Sequence, residues 1–510
     1  KWRNPDLQEV IDYLLDDDDD VKAHAAAYLQ HLCFMDDDMK AKTRGLGGIQ
    51  PLVKLLSNDF PEVHRNACGA LQNLSYGKAN NENKKAIRAY NGIPELIRLL
   101  RKTQDEDVKE SVTGILWNLS SCEDLKMPII DDGLAVLVNV VIIPGSGYDR
   151  VGSTPYKDHE QWTTVFRNGT GVIRNVSSAG YESRKRLREC RGLVNSLIHT
   201  LKQAADTMDL DNKPIENVVC TLRNLSYRIQ EIQDRDFYKK RYNTLQRMSR
   251  DTDKGENSGC FGGGVGKKKG QQKGDNKNSP AQNTINKNIS FCNYRNMNTK
   301  LPAIANEYKA LWGIEVIQKY LILIKNTSNP ITLEAGAGAI QNLVACDWAP
   351  AVEIRGNVRK EKGLPHLVDL LAFENDRVVC AAATALRNLA IDDRNKELVG
   401  KYAMRQLVSK LPQDTRHSEL VPPDDTLCAV IATLYEVVKT NQDFASSFLE
   451  EKGVARLMSI TMSEGKYLAR TIKYASTVLR TMWQFKALHN QYARLGHKES
   501  NFLSASAIPR

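Results

Sequence analysis

The residues of this chain whose types and spacing suit chemistry are asparagines, and that chemistry is hydrogen bonding rather than catalysis. Asn73, Asn118, Asn175, Asn224, Asn342 and Asn388 each sit in Leu/Ile-x-Asn-Leu/Val, and the first four are followed two positions on by serine. A carboxamide carries both donors and an acceptor, so a row of them can hold the backbone of an extended peptide whatever its sequence. One such asparagine can equally satisfy a backbone group of its own fold; six at one register favour the row. The preceding residues are Gln72, Trp117, Arg174, Arg223, Gln341 and Arg387. A groove for basic peptides would repeat Trp-Asn, with lysine stems lying between indole rings and acidic residues neutralising their heads. Only Trp117-Asn118 has that form. Three arginines at this position point instead to an anionic ligand, because the guanidinium fork pairs with carboxylates.

Covalent chemistry has no comparable signal. The nine histidines form no His-Glu-x-x-His pair, the ten cysteines no Cys-x-x-Cys, and no Gly-x-Ser-x-Gly elbow occurs. Gly266-Lys267 lacks the rest of a phosphate-binding loop: Phe261 stands where its first glycine should be and Lys268 where serine or threonine is required. A binding protein without enzyme activity, metal or cofactor is expected.

The asparagines need elements that align them. Steps from His31, at the matching place in the first unit, to Asn73 and Asn118, and from Asn342 to Asn388, give a period near ~42 residues, the mark of a helical solenoid. A second marker keeps step at Gly48-Ile49, Gly92-Ile93, Gly133-Leu134, Gly192-Leu193, Gly313-Ile314, Gly363-Leu364 and Gly453-Val454. Each unit therefore reads as a glycine-punctuated helix followed by an Ala- and Leu-rich one. In the second unit Cys68, Leu71 and Leu74 face the core at helical spacing while Asn73 lies off their stripe. Cys33, Cys68, Cys220, Cys380 and Cys428 take core positions as small apolar residues, in keeping with a reducing, intracellular compartment. No stretch approaches the ~20 apolar residues of a membrane span. There is no signal peptide, and a start at Lys1 suggests a fragment with flanking regions missing. The acidic run Asp16 to Asp20 reads as a turn, with Asp20 or its neighbour capping the next helix.

Net charge is +10, and the stretch from Lys239 to Lys300 holds 14 Lys or Arg against 4 Asp or Glu, so the remainder is balanced. Poor in apolar residues and carrying Lys267, Lys268, Lys269 and Lys273, this stretch is expected to be a disordered basic loop. It suits attraction to an anionic membrane surface, or service as a solvated spacer; nucleic acid is not expected as the main partner. It fills the long gap between Asn224 and Asn342, and a smaller insert near 144–162 explains the long step from Asn118 to Asn175.

Specific motifs carry a resemblance. Ala-Ala-Tyr-Leu-Gln-His-Leu-Cys (Ala26 to Cys33), Ala-Cys-Gly-Ala-Leu-x-Asn-Leu-Ser (Ala67 to Ser75), Leu-Trp-Asn-Leu-Ser-Ser (Leu116 to Ser121), Val-Ile-Ile-Pro-x-Ser-Gly (Val141 to Gly147), Leu-Arg-Glu-Cys (Leu187 to Cys190) and Arg-Asn-Lys-Glu-Leu (Arg394 to Leu398) resemble the armadillo domain of the delta-catenin subfamily. The likeness runs from Trp2 to about Phe502. It implies an all-α, right-handed superhelical solenoid of about nine armadillo repeats. Repeats one to five would occupy 1–235, the basic insert 236–303, repeats six to nine 304–490, and a C-terminal extension 491–510. It further implies a cytoplasmic adaptor that binds the acidic juxtamembrane segment of classical cadherin tails, stabilises cadherin at adherens junctions and influences Rho-family GTPases, with a nuclear pool as a second location. By the same resemblance Trp2 is an N-terminal aromatic contact, Tyr28 and His31 line the first repeat, and Lys40 and Lys84 meet acidic residues at an exposed rim. Trp117 and Asn118 form the central pair, Asn73 extends the ladder, and Lys213 is a basic position farther along. Arg174, Asn175 and Asn224 continue the groove. The alternatives are a plakophilin-like desmosomal scaffold and a nuclear import-type adaptor, the latter expected to carry groove carboxylates that this chain lacks.

Overall fold

A computed structural model describes residues 4–150, 162–232, 304–413, 421–463 and 465–503, and among these every regular element is helical. The array is an all-α solenoid. Its backbone is a succession of nine long helices, Asp19–Leu32, Pro61–Ser75, Glu106–Ser120, Thr164–Ser177, Lys213–Ser226, Pro330–Leu343, Asp376–Leu389, Asp424–Val438 and Ala469–Trp483, each packed on the next. Each begins where the sequence stops it from extending backwards. Pro61 and Pro330 occupy the first turn, where a missing N–H costs nothing. Asp105 accepts from the backbone N–H groups of Asp107 and Val108, and Asn375 from those of Arg377 and Val378. In the acidic run the cap is Asp18, whose carboxylate accepts from Asp20 N, not Asp20 or a residue adjacent to it.

The units contain more helix than the sequence pattern suggested. In the second and third, a short helix precedes the glycine-led one: Asp37–Gly45 before Ile49–Leu55, and Asn81–Ala89 before Gly92–Lys102. The glycine marks the corner between them. Asn91 turns the chain at φ 65°, and a Cβ on Gly92 would lie 2.6 Å from the Ile87 carbonyl oxygen, so only glycine lets the corner close. The core follows the predicted stripe, with Cys68, Leu71 and Leu74 fully buried and Asn73 at its edge. The five cysteines assigned to the core are buried; burial pushes the Cys68 thiol up to about 12.

Two findings concern the long gaps. The fifth long helix, Lys213–Ser226, packs directly on the sixth, Pro330–Leu343. Arg223 Nη1 reaches Glu334 Oε1 at 3.0 Å, and Asp211 accepts from the Ser328 backbone N–H and hydroxyl across the same junction. The basic stretch, with Lys267, Lys268, Lys269 and Lys273, lies outside the described residues, as do Trp2 and most of the smaller insert. The second finding is an apolar helix whose run is broken by Asp131 and Asp132. One helix of 24 residues, Glu123–Ser146, is long and apolar enough to cross a membrane by length and composition. Half of its apolar window is buried, as a core helix of the array would be, and Val138–Ile142 within it is a π-helical turn.

Candidate functional site

Every asparagine of the ladder turns its amide nitrogen to the preceding unit. Asn73 Nδ2 donates to Gln30 O at 2.8 Å, Asn118 to Gln72 O and Ser75 Oγ at 3.2 Å, Asn175 to Ser120 Oγ at 2.9 Å, and Asn224 to Ser177 Oγ at 2.8 Å. Asn342 and Asn388 do the same to Arg223 O and Gln341 O. The row is thus first an inter-repeat clasp, its acceptors being the carbonyl just before the preceding unit's asparagine register or the serine two positions after it. What remains for a ligand is the carbonyl: among the described residues nothing donates to Oδ1 of Asn73, Asn118 or Asn175, whereas Asn224 Oδ1 already accepts from Arg223.

Three of the residues before an asparagine, Gln72, Trp117 and Arg223, lie on the next long helix where a glycine leaves room. A Cβ on Gly114 would sit 2.7 Å from Gln72 Nε2, one on Gly338 2.9 Å from Arg223 Cδ, and one on Gly171 2.7 Å from Trp117 Nε1. Trp117 therefore rests its indole on bare backbone at Gly171. Around it opens a cleft of about 460 Å³ lined by Tyr76, Lys78, Lys84, Asn118, Ser121, Arg167 and Asn175, with no aspartate or glutamate among its lining residues.

Lys84 gives this cleft its character. Its side chain is buried at 1% exposure, and Nζ donates to Gly77 O at 2.9 Å, Ser121 Oγ at 2.9 Å and Asn81 Oδ1 at 3.3 Å. Among the described residues no carboxylate pairs with it, and burial pulls its pKa below the usual lysine range. Lys40, in contrast, pairs with Asp37 at 3.0 Å and reaches Tyr76 O at 3.4 Å; Lys126 pairs with Glu123 at 2.6 Å. The two lysines expected at an exposed rim are therefore both buried, because each stands three residues into a first helix and points at the C-terminal end of its own unit's long helix.

Three stretches, 36–76, 80–121 and 352–391, match the family model described as Armadillo/beta-catenin-like repeat. The chain is 46% identical over 99% of its length to human Catenin delta-2, 44% over 99% to mouse Splicing regulator ARVCF, and 40% over 99% to the Juxtamembrane domain-associated catenin of Caenorhabditis elegans. The chain belongs to the delta-catenin subfamily. It spans 40%, 52% and 38% of the lengths of those three relatives. A crystal structure of an engineered protein shares the fold at a TM-score of 0.63 and 17% identity, covering 98% of this chain and 97% of its own. The chain is thus an armadillo-repeat member of the catenin family.

Within this catenin array the cleft brings together Lys84, Trp117, Asn118 and Asn175 from the predicted set. Others lie apart. Tyr28 is half-buried against the core, and His31 is exposed at the end of Asp19–Leu32. The arginine argument needs correcting for two of its three residues: Arg174 is held by Glu216 at 2.6 Å and Arg223 by Glu334 at 3.0 Å. Lys213 shares Glu216, also at 2.6 Å. Burial opposes ionisation of Glu216, but hydrogen bonds from Lys213, Asn329 and Arg174 hold its carboxyl below the usual range. The array thus does carry carboxylates beside the ladder, contrary to the expectation, and positive charge without a carboxylate is concentrated at the Trp117 cleft. Arg167 and Lys78, which contribute to it, were missed because neither stands at the repeated asparagine register.

The seat of Trp117 gives a sharp expectation. Gly171→Ala gains about 1 kcal/mol of helix propensity but places a methyl 2.7 Å from Trp117 Nε1 and closer still to Cε2, an overpacking cost of about 1–3 kcal/mol. It should displace the indole and weaken any ligand that packs on it. A modestly lowered melting temperature, with shifted tryptophan emission and reduced peptide affinity, is the expected result; unchanged emission would show that the indole tolerates the methyl.

Proposed function

We propose that this armadillo array binds an extended acidic peptide of the kind found in the juxtamembrane segment of classical cadherin tails, acting as a cytoplasmic adaptor that stabilises cadherin at adherens junctions. The observation that carries the reading is the buried, carboxylate-free ammonium of Lys84 beside Trp117 and the open Asn118 carbonyl. Carboxylates of the ligand supply the counter-charge to Lys84, Lys78 and Arg167; its backbone N–H groups donate to Asn73, Asn118 and Asn175; its chain lies on Trp117. The name of the worm relative, a catenin associated with a juxtamembrane domain, supports the same direction. A link to Rho-family GTPases through the basic insert, and residence at the plasma membrane, are further parts of this proposal. Calorimetric titration of the chain with a cadherin juxtamembrane peptide tests it, with a second peptide whose acidic residues are changed to amides. Binding of the first and not the second is expected. Equal binding of both, or preference for a lysine-rich import signal, would overturn it.

The charge state of Lys84 sets a pH dependence. The contact needs the protonated amine, so affinity is full below the pKa of Lys84 and is lost as pH rises through it. Burial has lowered that pKa in the free protein. As pH rises, affinity should therefore begin to fall earlier than it would for a contact made by an exposed lysine. Titrations at pH 7, 8, 9 and 10 should show the decline, and Lys84→Arg should remove it, because a guanidinium keeps its proton over this range.

A further inference from the structure

Tyr76 stands one residue from the carbonyl that holds Lys84, and its ring is one of the walls of the Trp117 cleft. Its backbone is pinned on both sides: the N–H donates to Asn73 O at 3.2 Å, and the carbonyl accepts from Asn80 Nδ2 at 2.7 Å and Lys40 Nζ at 3.4 Å. The side chain is free of such ties, 57% exposed, with the Lys40 ammonium 5.8 Å from the ring centroid. The chain leaves the helix in extended conformation at Tyr76 and turns at Gly77, where φ is 101°. A tyrosine is thus presented at a helix end, in a cleft that holds cations and no carboxylate.

We propose that Tyr76 is a phosphorylation site that closes the acidic-peptide cleft, its phosphate supplying in cis the counter-charge that Lys84 lacks. The inference rests on the acidic-peptide reading above and adds its regulation. In the modifying step a tyrosine kinase supplies the phosphoryl group from a nucleoside triphosphate. The Tyr76 oxygen forms a bond to the γ-phosphorus, the bond to the bridging oxygen breaks so that its electron pair leaves with the nucleoside diphosphate, and the phenol proton passes to the kinase's general base. The product carries close to two negative charges and three strong acceptor oxygens beside Lys78, Lys84 and Arg167. A ligand carboxylate must then displace a tethered dianion. Ser121, the other hydroxyl at the cleft, is already engaged, donating to Asn118 O at 2.6 Å and accepting from Lys84.

The test uses the whole chain with phosphotyrosine incorporated at position 76 by codon suppression, beside the unmodified chain and Tyr76→Phe. The phosphorylated chain should bind the acidic peptide at least tenfold more weakly than the unmodified chain with an unchanged melting temperature, and Tyr76→Phe, which keeps the ring but has no hydroxyl to modify, should lose no affinity on treatment with a tyrosine kinase. Phosphorus NMR reads the contact without any peptide. The second ionisation of the phosphate should fall below its free value of ~6, and Lys84→Gln should return it upward. Failure of the unmodified chain to bind would overturn the acidic-peptide reading, while the phosphorus titration would still report whether the phosphate meets the cations. Equal peptide affinity with and without phosphate, or a phosphate that titrates as the free amino acid does, overturns the switch. So does a loss of affinity matched by a lower melting temperature.

Discussion

Trp117→Ala lowers the affinity for an acidic juxtamembrane peptide by at least ~2 kcal/mol, roughly thirty-fold, and leaves the array folded. The size follows from position: a large aromatic at the centre of a peptide cleft is the usual kind of binding hot spot. Trp117 is half-buried on the Gly171 backbone, with Asn118 on one side and Lys84 and Arg167 among its cleft neighbours. Truncation removes the platform on which a peptide lies and admits water to the Lys84 ammonium, weakening the charge contact as well. The fold survives because the helix Glu106–Ser120 is held by its fully buried residues Val112, Ile115, Leu116 and Leu119, none of which touches solvent. Trp117→Phe should recover part of the loss by restoring a flat apolar face. Titration calorimetry together with thermal melting separates the readings: a lowered melting temperature with affinity unchanged would make Trp117 a stacking residue between repeats and nothing more.

What could be read in advance, and what could not, follows from the range of each signal. Helical spacing and the repeated Leu-x-Asn-Leu are local, so the long helices and the buried stripe through Cys68, Leu71 and Leu74 were legible. Partners are not local. Nothing near Arg174 shows that Glu216 will neutralise it from the next unit, nor anything near Arg223 that Glu334 will. The short first helices were missed because few of their residues are apolar: in Asp37–Gly45 only Lys40 and Thr43 are buried. A recoverable signal was nevertheless present. Asp37-x-x-Lys40, Asn81-x-x-Lys84 and Glu123-x-x-Lys126 repeat a polar residue three places before a lysine, and in the fold all three lysines turn inward to a helix end.

That inward turn sets buried cations at the ends of the long helices. Lys40 reaches Tyr76 O, Lys84 reaches Ser121 Oγ, Lys126 reaches Ser178 Oγ, Arg188 reaches Leu225 O and Tyr227 O, and Arg355 reaches Val344 O. Tyr76, Ser121, Ser178, Tyr227 and Val344 are the C-cap residues of five long helices, where the last carbonyls have no partner in the helix and the dipole favours a cation. Arg188 is one such cation. It is 5% exposed, its Nε donates to Leu225 O at 2.7 Å and its Nη2 to Tyr227 O at 2.6 Å, and burial beside Arg184 draws its pKa down to about 10, still charged at neutral pH.

Arg188→Met should therefore leave two carbonyls without their charged donor at the end of Lys213–Ser226. Each unsatisfied buried polar group costs about 1 to 3 kcal/mol; relief of the buried charge offsets part, so a net loss of roughly 3 kcal/mol is expected. Because repeats contact mainly their neighbours, the loss should be local. Hydrogen exchange should accelerate in the last turn of Lys213–Ser226 and at its packing on Pro330–Leu343, while peptide affinity at the Trp117 cleft changes little. Arg188→Lys, with one ammonium for two carbonyls, should fall between. If exchange in that turn stayed slow while peptide affinity collapsed, Arg188 would belong to the ligand site rather than to the cap of Lys213–Ser226.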